Sequence, residues 1–227
     1  EQEGILAERL LNKWICFGGM GMRLMDTPDF GLEVLVVGGL RTNCYILWRK
    51  GSGTAVVIDP GGSVDKILEF ISVENLNVKF IINTHGHDDH IGGNRDLRKS
   101  TGAKVLVGAK DAYKLLDSKD TFKLLKKMGG TQDLQADDLL KEGDTVAADG
   151  IELEVIETPG HSIGGISLIW RSVKTVFTGD TLFKCGIGRY DFEDGDEKVL
   201  WNSIFNKLFV LDDDFIVCPG HGDATTI

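Results

Sequence analysis

The 227-residue chain is short of the features that mark several common classes. Its four cysteines, Cys16, Cys44, Cys185 and Cys218, show no paired spacing. A reduced, cytoplasmic chain is therefore the default. Positive charge is scarce: 25 Lys and Arg against 35 Asp and Glu leave a formal charge of −10. That disfavours a nucleic-acid partner, since phosphate binding needs clustered basic residues. The basic residues that do cluster, Lys123, Lys126 and Lys127, interleave with Leu124 and Leu125 and read as the solvated face of a helix. No apolar run approaches the ~20 residues needed to span a bilayer, so no membrane partner is expected. With 42% hydrophobic residues the chain can bury a sizeable core, most simply as one domain.

Histidine is also scarce, five in all, and its placement carries the argument. Three fall within Thr84-His85-Gly86-His87-Asp88-Asp89-His90, directly after the apolar run Phe80-Ile81-Ile82. Imidazole and carboxylate are the usual ligands of zinc and its first-row neighbours. The His-x-His spacing lets both rings face one ion, while Asp89 and His90 point elsewhere and suit a second. A solvated polar turn that happens to hold histidines is the alternative. The other two histidines close near-identical tripeptides, Pro159-Gly160-His161 and Pro219-Gly220-His221, each after an apolar stretch. Proline holds its predecessor extended and glycine allows a sharp turn, so each tripeptide ends a strand and presents an imidazole. Asp180 follows another apolar strand closed by a glycine, Val176-Phe177-Thr178-Gly179. All five histidines at strand ends point to one shared site.

His85-x-His87-x-Asp89-His90, His161, Asp180 and His221, in this order, resemble the full ligand set of the metallo-β-lactamase superfamily. Gly179 to Phe183, Gly188 to Asp191 and Pro219 to Gly222 resemble its glyoxalase II-like (hydroxyacylglutathione hydrolase-like) branch. The resemblance covers roughly residues 32 to 227 and implies an α/β fold, a four-layer αββα sandwich of two mixed sheets with outer helices. It further implies that His85, His87 and His161 hold one divalent ion, that Asp89, His90 and His221 hold another, and that Asp180 bridges them. Asp89 and Asp180 are then the catalytic carboxylates. Zinc is the expected metal, with iron or manganese also suited to this O/N set. Two ions about 3.5–4 Å apart activate a shared water, and the hydroxide attacks a carbonyl, of a thioester by this resemblance. Persulfide dioxygenases share the ligand order but use one iron, which makes an oxidoreductase the alternative. Aspartate at 180 disfavours the activity of zinc β-lactamases that have a cysteine ligand there.

The remaining assignments are coarser. Ile5, Leu6, Leu10, Leu11, Trp14 and Ile15 fall at helical spacing among charges, predicting an amphipathic helix over residues 3 to 17. With the Gly18-Gly19-Gly21 joint it makes an extension, 1–26, that packs on the 27–227 hydrolase domain or supports a homodimer. Its charges interrupt any signal-peptide core. Strands are expected at 34–37, 44–48, 55–58, 104–107, 145–147, 151–156, 166–170, 175–177 and 215–217, and helices at 63–74, 91–100, 110–127 and 198–209. The stretch 128–143 reads as a surface connection bordering the pocket. Asp59 is either an ordinary turn residue or an acceptor that orients a ligand histidine. Arg189 and Tyr190 are the candidates for binding a small-molecule substrate. The glutathione enzymes of the family have Lys and Tyr where this chain has Arg189 and Asp191, and C-terminal helices where it ends at Ile227. Arg189 either binds a carboxylate or braces its loop against Asp191.

Overall fold

The structure is a computed structural model that describes residues 15–17, 21–116 and 134–227. Its frame is two mixed β-sheets packed face to face. The first runs β1 (Ile15–Phe17), β2 (Gly21–Asp26), β3 (Phe30–Val37), β4 (Thr42–Arg49), β5 (Thr54–Ile58), β6 (Asn77–Asn83), β7 (Lys104–Gly108) and β8 (Asp138–Leu140), side by side in that order. β1 to β5 pair antiparallel, and β5 to β8 pair parallel. The parallel pairs require crossovers, supplied by helices α1 (Val64–Val73), α2 (Asp88–Ile91) and α3 (Asn94–Thr101), and α4 (Ala112–Leu116) follows β7. The second sheet has the order β16-β15-β12-β11-β10-β9, from β9 (Thr145–Ala148), β10 (Ile151–Glu157), β11 (Ile166–Trp170), β12 (Thr175–Gly179), β15 (Ile216–Pro219) and β16 (Thr225–Thr226). A small hairpin, β13 (Leu182–Phe183) and β14 (Gly186–Ile187), and helix α5 (Glu197–Ser203) precede β15.

Strand alternation separates three apolar layers. On β4, Tyr45 and Leu47 face the second sheet and pack with Val155, Leu168, Trp170 and Phe177. Cys44, Ile46 and Trp48 face outward against Ile67 and Phe70 of α1 and Leu97 of α3. Beyond the second sheet, Ile169, Val176 and Val217 pack on Leu200 of α5 and on Ile204 and Leu208. The result is the four-layer αββα sandwich the resemblance implies. Seven of the eight residues of β4 are buried because both its faces are covered, the pattern of a central strand.

Several local expectations change. Ile15–Phe17, expected to end the helix, pairs with β2. Gly21–Asp26, expected in the N-terminal extension, is a full strand on β3, and Met22 and Leu24 pack against the inter-sheet core. Pairing there satisfies backbone groups that a joint would leave open. The helix over 3–14 and the segment 117–133, including most of the expected 110–127 helix, lie outside the described residues. Residues 138–140, expected in a surface connection, add a parallel strand to β7. Gly92-Gly93 splits the helix expected at 91–100. After α5 the chain continues as a π-helical turn over Ile204–Leu208.

Candidate metal centre

Four strand ends meet at one edge of the sandwich: β6 from the first sheet, and β10, β12 and β15 from the second. Hydrogen bonds tie the two sheets together there. Asn43 donates from its backbone N–H to the Gly220 carbonyl at 2.7 Å. The Tyr45 hydroxyl donates to the Pro219 carbonyl at 2.7 Å, and the Ile166 N–H to the Thr84 carbonyl at 2.8 Å. The seven residues singled out in the sequence converge on this edge. His87 Nδ1 and His161 Nε2 are 2.9 Å apart. His221 Nε2 is 3.2 Å from Asp89 Oδ2. The Asp180 carboxylate lies between the two groups, 3.6 Å from His161 Nε2, 3.4 Å from His90 Nε2 and 3.5 Å from His221 Nε2. Donor atoms of His85, His87 and His161 lie within 4.8 Å of one another, as do those of His85, His90 and Asp180 and those of Asp89, His90 and His221. Glycine is required at 220, where a Cβ would stand 2.1 Å from Asp180 Oδ1.

In three of the histidines the ring nitrogen facing away from the cluster is fixed. His161 Nδ1 donates to the Arg189 carbonyl at 2.7 Å, which leaves a lone pair on Nε2. His90 Nδ1 donates to Asp59 Oδ2 at 2.9 Å. Thr84 Oγ1 donates to the same Oδ2 at 2.6 Å and so accepts from His85 Nδ1 at 3.1 Å. Asp59 thereby orients two of the histidines, as outer partners of metal-binding imidazoles do. It also occupies a left-handed turn conformation, φ 51°, so the two readings of this residue describe one position.

His85 Nε2, His90 Nε2 and Asp180 Oδ1 are buried with no hydrogen-bond partner among the described residues. Such groups are rare in folded proteins and call for an explanation. A cation supplies one, because all three aim into a cluster of oxygen and nitrogen donors that suits zinc, iron or manganese. Without a cation, the proton states divide. Burial, then the neighbouring His90, His87 and His161, hold His85 well below the ordinary imidazole range. Burial, His161 and Lys114 push His87 down to about 3. Against its own burial, which would lower it, His90 is held well above that range by Asp180, Asp59 and Asp89. For His221, hydrogen bonds to Asp180 and Asp89 overcome burial and raise it to about 9. Burial would also raise Asp89, but His90 and the His221 hydrogen bond lower it to about 2.

Arg189 and Tyr190 stand outside this convergence. The Arg189 guanidinium is bound to both Asp191 oxygens, at 2.9 and 3.0 Å, and lies 4.5 Å over the Phe192 ring. Tyr190 is exposed, and its side chain makes no hydrogen bond or ring contact with the seven among the described residues. Two residues that sequence reasoning missed are built into the site. Asp111, fully buried, accepts from the Gly86 N–H and the Gly164 N–H at 2.8 Å each, pinning the loops that carry His85, His87 and His161. Phe192 stands edge-on to His87 and His161, with centroids at 5.2 and 5.5 Å.

Fold and site together define a metallo-hydrolase of one superfamily. The family model of the metallo-β-lactamase superfamily matches residues 37–221, and the chain belongs to that superfamily. Among curated relatives, the hydroxyacylglutathione hydrolase GloC of Haemophilus influenzae is 36% identical over 203 residues, covering 86% of this chain and 92% of its own. Among solved structures, the BLEG-1 B3 metallo-β-lactamase superposes with a TM-score of 0.81 at 33% identity, over 86% of this chain and 93% of the other. TTHA1623 in a di-iron-bound form gives a TM-score of 0.73 at 31% identity, over 85% and 93%. Among the described residues no helix is long and apolar enough to cross a membrane.

Proposed function

We propose that the chain is a dinuclear metal-dependent hydrolase of thioesters. His85, His87 and His161 hold one divalent ion, Asp89, His90 and His221 hold the other, and Asp180 is shared. The observation that carries this reading is the place of Asp180, within 3.6 Å of imidazole nitrogens from both groups and with Oδ1 buried and unpartnered. The 36% identity to a hydroxyacylglutathione hydrolase supports the thioester class. Zinc fits the donors, and the di-iron form of a related structure keeps iron in view.

Two such ions, when bound, lower the pKa of water from ~15.7 toward neutrality and polarise a carbonyl. The protein supplies the rest. The Arg189 carbonyl and the Thr84–Asp59 pair fix the tautomers of His161, His85 and His90, so that Nε2 of each faces the cluster. Asp89 and Asp180, ionised at neutral pH, are the acceptors that orient the attacking water. In the reaction the water oxygen joins the carbonyl carbon, the C–S bond breaks, and a carboxylic acid and a thiol result. A thiolate of pKa ~8.5 leaves without a dedicated proton donor.

The test is metal analysis joined to turnover. The protein reconstituted separately with zinc, iron and manganese is expected to hold about two ions per chain and to hydrolyse S-lactoylglutathione, with activity lost on chelation. One iron per chain with oxygen consumption would move the assignment to the persulfide dioxygenase-like oxidoreductase. A β-lactam turned over in place of the thioester would overturn the thioester class.

A further inference from the structure

The first sheet is wider than the second beside the metal centre. It continues past β4 through β3 and β2, whereas the second sheet ends at the two-residue β16. Met22 and Leu24 on β2 and Val34 and Val36 on β3 therefore line a cavity of about 340 Å³, together with Leu40 of the β3–β4 turn and residues 222–224 leading into β16. The cavity also reaches His221, a ligand of the proposed centre. Its volume is that of a small-molecule site, and its lining divides between an apolar wall and the polar Arg41, Asn43, Tyr45, His221 and Asp223.

The charge at the mouth is also distinctive. Arg41 lines the cavity in a left-handed conformation, φ 60°, and makes no ion pair with a described residue. Its neighbour Thr42 donates to Asp89 Oδ2 at 3.2 Å, so the Arg41 backbone is one residue from a contact with the metal centre. Asp223, which also lines the cavity, is engaged by Lys184 at 3.3 Å. Arg189 is already held by Asp191. Arg41 is thus the guanidinium at this mouth that a substrate anion can claim.

We propose that this groove seats the acyl arm of the substrate, a medium-length aliphatic chain, while Arg41 binds a carboxylate on its thiol arm. The assignment rests on the hydrolase reading for its chemistry, and on the groove alone for binding.

Acetyl and hexanoyl thioesters of N-acetylcysteamine, which is uncharged, and of 3-mercaptopropionate, which is anionic, are assayed with the metal-loaded protein. Binding of hexanoate and acetate is measured by calorimetry alongside. Hexanoyl thioesters are expected to exceed acetyl in kcat/KM by at least about tenfold, the discrimination that a single methylene in an apolar pocket carries, while hexanoyl adds four. Val36→Trp should bring that ratio toward one. Leu40→Ser, at an exposed turn position, should lower it as well if the tryptophan variant fails to fold. Arg41→Ala should remove a preference for the anionic thiol. Turnover with equal acetyl and hexanoyl rates and no preferential hexanoate binding would overturn the groove and leave the hydrolase standing. Preferential hexanoate binding, lost in Val36→Trp, without turnover of any thioester would support the groove and sink the hydrolase. Hexanoate binding that emerges only after removal of residues 1–14 would make the chain's own first residues the occupant and overturn the substrate assignment.

Discussion

His85 and His87, on one side of Asp180, are held neutral by burial and by the rings around them, whereas His90 and His221, on the other side, keep their protons beyond neutral pH without a cation. One side-chain type behaves oppositely at two points of one cluster. Carboxylates make the difference: Asp59, Asp89 and Asp180 surround His90, and Asp89 and Asp180 contact His221. The first group offers lone pairs directly. In the proposed centre the second would exchange protons for an ion, which couples metal binding there to pH.

Asp180→Ala breaks the comparison outright, because both halves lose the group they share. Metal content should fall from about two ions per chain to below one, and kcat/KM by on the order of a thousandfold, the scale of removing a main electrostatic contributor. The strands should stay folded, since the carboxylate stands at the site edge and packs into none of the three apolar layers. Elemental analysis and far-UV circular dichroism check both statements. Full metal content with wild-type turnover would end the dinuclear assignment.

Asp59→Asn separates the halves more finely. Asparagine tolerates the left-handed conformation at this position, but with its amide oxygen kept on His90 Nδ1 and Thr84 Oγ1 its NH2 group meets the Thr84 backbone N–H, which Asp59 Oδ1 now accepts at 2.8 Å, and the acceptor's charge is lost. Metal affinity should weaken about 10–100-fold, the usual cost of losing an outer partner. The ion proposed for His90, which Asp59 contacts directly, should weaken more than the one proposed for His85, which Asp59 reaches through Thr84, so competition with a chromogenic chelator should resolve two unequally weakened sites.

These effects show which parts of the centre could be read from the chain. The convergence of the seven side chains was legible because each follows an apolar strand closed by a turn, and because histidine is too rare here to recur at such places without cause. Asp59 was legible as a candidate because metal-bound imidazoles usually donate their second N–H, which gives a turn acid a possible partner. Asp111 was not legible. Its partners Gly86 and Gly164 lie 25 and 53 residues away, and nothing near Lys110-Asp111-Ala112 signals a buried acceptor. The strand at Ile15–Phe17 was misread because apolar residues at 14 and 15 also fit a helical period, and pairing with β2 decides between the two. The groove was invisible for a similar reason: it exists where one sheet outruns the other, a property of the assembled sandwich.

The split in proton states also sets the pH behaviour of the chelated protein. His87 has its pKa lowered to about 3 from an ordinary 6.5, so the unfolded chain gains protons that the folded one refuses as pH falls below 6.5, and stability is lost through pH 3. His221 has its pKa raised to about 9, so its contribution is complete below 6.5 and is lost as pH rises through 9. The melting temperature in chelator should therefore peak near pH 6.5 and decline on both sides. Added metal requires the deprotonated imidazole, so the gap between loaded and chelated melting temperatures should widen from pH 6.5 to 9. A gap that narrows would show that His90 and His221 do not bind the ion.

Arg189→Ala should have the smallest effect. The guanidinium is solvent-exposed and already committed to Asp191 and the face of Phe192, and exposed pairs of this kind contribute little. What the residue gives the centre is its backbone carbonyl, the acceptor of His161 Nδ1, and alanine keeps that carbonyl. Phe192 keeps its edge contacts with His87 and His161 through its own ring. Metal content should be unchanged and kcat/KM for a small generic thioester should stay within about threefold of wild type. With Asp191 where the glutathione enzymes carry tyrosine, discrimination between that thioester and S-lactoylglutathione should be equally insensitive to the substitution. A large rise in KM confined to S-lactoylglutathione would mean that the Asp191 pair opens to admit the substrate's carboxylate, and would move the anion site from Arg41 to Arg189.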